Sequence, residues 1–294
     1  MLINTRLVYI PSINKYLKFR EFRNDHLFAL FKTQDSLVDS MCAQNDILKD
    51  CWVEEEYDMT DLTLLDVMSI FIYWRFSCVD DEMVFDMGYK EQHHELKDWL
   101  GVVNELGQHN FRKEYDFEGH KLTFDMLTLE DDFEMQRDYL LNNSSETEKS
   151  LEIKRNLITL CALKAFDDDP IKEYSTRKLI YDNLPYSVSS IFEDYQKHVD
   201  DIFALFESER FIMEIGEIKT TFRLELIPIL IKYMFSGSSE SFLQNMTNLS
   251  EKVKISFTDF MKMSPMETQD ILLYLKHREG EGQDMGDDGE ELMM

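Results

Sequence analysis

The residues of this chain best suited to chemistry are a histidine pair, two carboxylate runs and four cysteines. His93-His94-Glu95, with Glu91 close by, offers metal-ligand types. On a helix, adjacent residues point about 100° apart, so two neighbouring histidines cannot easily share one ion. A divalent-cation reading of Asp80-Asp81-Glu82 or Asp167-Asp168-Asp169 lacks the spaced carboxylates and the glycine of a calcium loop; solvated turns explain both runs as well. Cys51 and Cys78 are potential nucleophiles, but no histidine stands near either in sequence, and buried free cysteines behave as small hydrophobes. Phosphate-cradling glycine loops, G-x-S-x-G and H-E-x-x-H are all absent from the chain. The expectation is a protein without catalytic activity and without a cofactor or bound metal. A metal-dependent enzyme built on His93 and His94 is the competing reading from another class.

The elements that would position these residues are mostly helices. Ten glycines and five prolines in 294 residues leave few tight turns, which argues against an all-β sandwich or barrel. Apolar residues make up 44% and aromatics 13%, enough for a packed core. Short strands are expected at 7–10 and 17–20 around the turn-like Pro11-Ser12-Ile13-Asn14. Asn24 or Asp25 can cap a helix carrying Leu27, Phe28, Leu30 and Phe31, and a further helix holds Leu37 to Cys51. Thr63 with Asp66 opens a helix that is apolar on nearly every face through Phe76, as a buried central helix would be.

From 91 to 106 charge mixes with Leu96, Trp99, Leu100, Val103 and Leu106 at helical spacing. Residues 115–124 alternate around Glu118-Gly119, a hairpin signature. The second half reads as helix over 151–166, 174–184 and from a Ser190–Glu193 capping box onward, with a strand and turn at 211–216. Ser256 with Asp259, and Ser264-Pro265-Met266-Glu267, are two consecutive helix starts. The fold class expected is α+β, predominantly α-helical, with an N-terminal β-hairpin, helical modules and a small α+β insertion. The divisions are 1–87, an insertion at 88–141, a second module at 142–237, a helical block at 238–278, and a disordered acidic tail at 279–294.

Charge narrows the partners. Fifty-eight acidic against 31 basic residues give −27, which repels nucleic-acid backbones and anionic membrane surfaces. Such a surface either keeps a partner-binding protein soluble and steers it to a basic partner, or is a solvated surface of no specific meaning. No apolar run approaches the roughly 20 residues that span a bilayer. The N-terminus lacks a signal-peptide pattern, so Cys42, Cys51, Cys78 and Cys161 are expected as reduced thiols in a cytosolic setting.

The order of elements from Tyr16 to Met83 carries a resemblance. A basic-aromatic strand, Tyr16-Leu17-Lys18-Phe19-Arg20-Glu21-Phe22, leads to a helix ending in Ile47-Leu48-Lys49-Asp50-Cys51-Trp52. Asp61-Leu62-Thr63-Leu64-Leu65-Asp66 then opens a helix whose exit is Arg75-Phe76-Ser77-Cys78. This order resembles the baseplate hub assembly proteins of T-even-type contractile-tailed phages. The resemblance resumes at Asn156 to Phe166, Asn183-Leu184-Pro185, Phe192 and Tyr195, and in the terminal helix pair from Phe257 to Tyr274. Several relatives carry a cysteine-rich knuckle where Glu207 to Ile218 stand, but no cysteine is present there, so a metal role does not transfer.

What the resemblance implies is a chaperone or scaffold for the hub or tape-measure protein, working in the host cell cytoplasm. A stoichiometric structural subunit retained in the virion baseplate is the alternative. The candidate partner-binding residues are Phe257, Phe260, Met261, Met263, Met266, Ile271 and Leu275, a methionine-rich stripe suited to a partner helix. The same stripe would equally close the core of a terminal bundle.

Overall fold

The computed structural model describes residues 5–79, 82–86, 91–142, 156–206, 212–215 and 218–287. It is a predominantly helical α+β protein. Thr5–Ile10 (β1) and Lys15–Arg20 (β2) pair antiparallel, with Thr5 opposite Arg20 and Ile10 opposite Lys15. A short 3-10 turn at Pro11–Ile13 joins them, and Asn14 closes it with φ 52°, a left-handed conformation that asparagine tolerates. Strand periodicity sorts the hairpin: Val8, Ile10, Leu17 and Phe19 are buried, whereas Leu7 and Tyr16 are exposed.

Three helices complete the N-terminal unit: Asn24–Lys32 (α1), Leu37–Cys51 (α2) and Leu64–Cys78 (α3). α3 starts where expected, at Thr63, and the start is a capping box. Asp66 accepts from the Thr63 backbone N–H at 2.9 Å, and the Thr63 hydroxyl accepts from the Asp66 N–H at 3.2 Å. Fully buried Asp66 also accepts from the N–H and hydroxyl of Ser12 at 3.0 and 2.6 Å, pinning the hairpin turn to the helix. Beyond it Leu65, Met68, Ile70, Phe71, Ile72 and Trp74 are fully buried, so α3 is the centre of the protein. Around Trp74 the rings of Phe19, Phe22 and Phe71 lie 5.1–5.9 Å away, centroid to centroid, in the range of favourable aromatic pairs.

Glu82–Asp86 (β3) pairs with Glu91–Glu95 (β4), and Leu96–Leu106 (α4) follows. The helical reading of 91–106 is therefore corrected: its first five residues are strand, because β3 offers them a ladder. Gly107 ends α4 where Pro11 crosses it, and a Cβ there would lie 2.6 Å from the proline ring. The next sheet has the order Lys113–Phe117 (β5), His120–Phe124 (β6), Leu163–Phe166 (β7), Asp169–Pro170 (β8). Glu118 and Gly119 have φ of 51° and 88°, the left-handed pair that a two-residue hairpin turn demands.

The helix expected through Phe166 stops early. Residues 156–161 (α6) are helical, but Leu122 pairs with Phe166 and Thr123 with Ala165, so sheet addition overrides the helical pattern. This pairing joins the 88–141 segment to the module after it. Leu129–Asn142 (α5) precedes α6. Tyr174–Asn183 (α7) and Ser189–Ala204 (α8) follow it, and α8 covers Phe124 with Phe192 and Tyr195. The Ser190–Glu193 capping box does not form, because α8 already begins at Ser189 and the Ser190 hydroxyl donates to Ser187 O.

A hairpin of Ile212–Ile215 (β9) and Ile218–Thr221 (β10) leads to Ile227–Met234 (α9), whose Ile227, Leu230 and Ile231 are buried. Ser239–Val253 (α10), Phe257–Lys262 (α11) and Pro265–Asp287 (α12) end the chain. Both expected caps form: the Ser256 hydroxyl accepts from the Asp259 N–H, and Ser264 and Glu267 bond reciprocally. α12 runs on to Asp287, past residue 279 where the composition reads as a disordered tail. Elongation adds one bond per residue, and Glu279, Glu281, Gln283 and Met285 are good helix formers between the glycines. Residues 288–294 lie outside the described set, as do Asp80 and Asp81, residues 143–150, where a polar surface loop is expected from the sequence, and residues 207–211.

Candidate functional site

The densest cluster of reactive side chains forms where the start of α1 meets the end of α2. Neither Asn24 nor Asp25 takes the N-cap position; Arg23 does. His26, the third helical residue, accepts from the Arg23 backbone N–H on Nδ1 at 3.3 Å. That leaves Nε2–H to donate to Asp50 Oδ2 at 3.0 Å. The Cys51 thiol lies 3.7 Å from Nδ1. Arg23 completes the group by donating to both Asp25 oxygens at 3.0 Å and to Asp50 Oδ2 at 2.8 Å.

Thiol, imidazole and carboxylate thus stand in the order of a cysteine–histidine–aspartate triad. The sequence hid this arrangement, because His26 precedes Cys51 by 25 residues. Two facts deprive it of nucleophilic power. Cys51 is 0% exposed, and burial, reinforced by the Asp50 charge, pushes its thiol up to about 12. Burial also holds His26 below its ordinary value, so the imidazole is neutral. Burial works to raise Asp50, yet the His26 hydrogen bond and the Arg23 and Arg20 charges outweigh it and hold the carboxyl low.

His26, Asp50 and Cys51 are also the one group of three potential metal ligands among the described residues. The fixed positive charge of Arg23 beside Asp50 competes with any cation there. The cluster's evident work is structural: it caps α1 and binds it to the last turn of α2. Beside it opens a cleft of about 630 Å³ lined by Phe28, Ala29, Cys42, Ala43 and Ile47, onto which His26 and Asp50 face but Cys51 does not.

A larger concavity, about 780 Å³, lies between the α3 and α5 starts and the end of α4. Its wall holds Asp131, which caps α5 with Thr128 and is bound by both Lys164 and Arg177. Burial raises the Asp131 carboxyl, but the two cations outweigh it and hold it low; burial holds Lys164 below its usual range. Each charge in this triad is already committed to another.

The other sequence candidates are dispersed. His93 and His94 run in β4 opposite Val84 and Met83, and their side chains lie outside the described set, as does that of Cys78. Asp167 and Asp168 form the β7–β8 turn, where Asp167 accepts from the Lys121 N–H and pairs with His120. Those oxygens serve the hairpin, the solvated-turn reading.

The methionine-rich stripe divides. Phe260 is fully buried and offers no surface to a partner, which corrects its assignment. Met261, Met263, Ile271 and Leu275 are half-buried, while Phe257 and Met266 are exposed. α12 adds three exposed apolar residues outside the proposed set, Leu272, Leu273 and Tyr274. Helical spacing would have found Leu273, which stands seven residues after Met266, on the same side of the helix. No helix among the described residues is long and apolar enough to cross a membrane. In comparison with known proteins, the chain matches no family model, no curated protein and no solved structure.

Proposed function

We propose that this protein is a non-catalytic assembly factor for the central hub of a phage baseplate, a chaperone or scaffold that engages the hub or tape-measure protein. The phage context rests on the resemblance of Tyr16 to Met83. The elements that carry it, β2, α2 and α3, form one packed unit. The observation that carries the binding role is the outward face of α12, where Met266, Leu273 and Tyr274 are 44%, 52% and 65% exposed. Apolar side chains gathered on one terminal helix suit engagement of another protein. The net charge of −27 favours a protein partner over nucleic acid and limits self-association. The working place is the host cell cytoplasm.

Affinity capture of the tagged chain from infected cells, read by mass spectrometry beside purified particles, tests this reading. Tail components in the capture with the chain absent from particles is the expected result. A fixed copy number in particles would make it a structural subunit of the hub, and a capture without tail components would end the hub reading.

A further inference from the structure

Resting on the assembly reading, we propose that the outward face of α12 docks an amphipathic helical segment of a partner protein whose flanks carry lysine and arginine. The inward face of the helix is settled. Thr268 is buried against Asn24, and Ile271 and Leu275 are half-buried on the same side. At 100° per residue, Met266 and Leu273 project from the opposite side two turns apart, with Tyr274 beside them. That spacing of anchors is what a helix laid against a helix requires.

Charge selects the occupant. Exposed Glu267 and Asp270 lie together on the Tyr274 side of Met266 and Leu273, and from Pro265 to Met294 there are nine acidic residues against two basic ones. A second copy of the chain would bring the same acidic segment against itself. A cationic helix instead gains Coulomb attraction along the Glu267–Asp270 flank and from the acidic residues that follow in the chain. Shielding a basic amphipathic segment before it reaches its final neighbours is the task this surface fits.

The probes are two fluorescein-labelled helical peptides sharing one leucine face, one flanked by lysines and one by glutamates. Binding to the full chain is read by anisotropy, with circular dichroism confirming the fold of each variant. The lysine peptide is expected to bind, the glutamate peptide not to bind. Leu273→Glu is expected to weaken the lysine peptide about tenfold, the loss of one anchor. Diffuse attraction to an acidic protein predicts the reverse, since this change adds a negative charge. Leu273→Ser, which adds none, should weaken binding in the same direction.

Equal binding of both peptides, no binding of either, or lysine-peptide binding undiminished in both variants would overturn the proposal. So would a dimer in sedimentation equilibrium that Leu273→Glu abolishes, because the occupant would then be a second copy. Tail components captured from cells alongside a failed peptide test would leave the assembly reading standing and remove this inference alone.

Discussion

Asn24 donates its side-chain amide to the backbone carbonyl of Phe260, 236 residues further along the chain, at 2.8 Å. The same nitrogen reaches the Thr268 hydroxyl at 2.7 Å, and the Asn24 backbone N–H reaches Met263 O at 2.9 Å. The first turn of α1 is thereby fastened to α11 and α12, and the helix that presents Met266 and Leu273 is held to the body of the protein.

Asn24→Ala should therefore loosen the terminal block before it unfolds the rest. Two buried hydrogen bonds would be lost, a cost of about 1–3 kcal/mol. Limited proteolysis should cut the variant between α10 and α12 at protease levels that leave the parent intact, while denaturant melts move modestly. Identical cleavage of both proteins would show that the tether contributes nothing.

Asp131→Ala should be far more damaging than the loss of a surface pair. It would leave buried Arg177 and half-buried Lys164 without their counter-charge and remove the α5 cap, at a cost of about 3–5 kcal/mol. Lys121→Met, which breaks the exposed pairs to Glu114 and Asp168, should leave the denaturation midpoint where it is. Urea melts of the two variants side by side check the contrast, and equal losses would refute it.

Local chemistry was legible in the residues, and long-range pairing was not. Thr63 with Asp66, Ser264 with Glu267 and Glu118-Gly119 each act within a few residues, so their types alone foretell a cap or a turn. Leu163 to Phe166 looks helical by spacing and becomes strand because β6, some 40 residues earlier, has an open edge. Asn24 resembles a cap and serves as a tether, since its partners come from the far end of the chain. The His26–Cys51 contact stayed hidden because it depends on how α1 packs on α2, which no spacing rule encodes.

Thiol labelling separates the two meanings of the cysteine–histidine–aspartate arrangement. A working nucleophile would react fast near neutral pH. Cys51, buried and with its thiol raised to about 12, should be protected in the native protein, as should buried Cys161, also raised by burial. Half-buried Cys42 should be modified ahead of both. Mass spectrometry after a short exposure to iodoacetamide gives the order, and preferential alkylation of Cys51 would restore the catalytic reading.

Acid should weaken the α1–α2 junction, and the direction follows from two groups. His26 is held below its ordinary 6.5 in the folded chain, so the unfolded chain takes up its proton first and stability falls as pH drops below about 6.5. Asp50 is also held low, so its contribution is present above the ordinary carboxylate value and disappears as pH falls through the lower folded one. Both effects have the same sign: full stability near neutrality, a first loss between pH 6.5 and the folded value of His26, and a second in the carboxylate range. His26→Gln removes the first loss but retains the second, provided its amide still reaches Asp50. Guanidinium melts at pH 7.5 and 5.5 should show the parent losing more stability than this variant across that interval. A parent whose stability is flat over the same range would show that His26 is not held neutral by burial, and the account of the junction would fall with it.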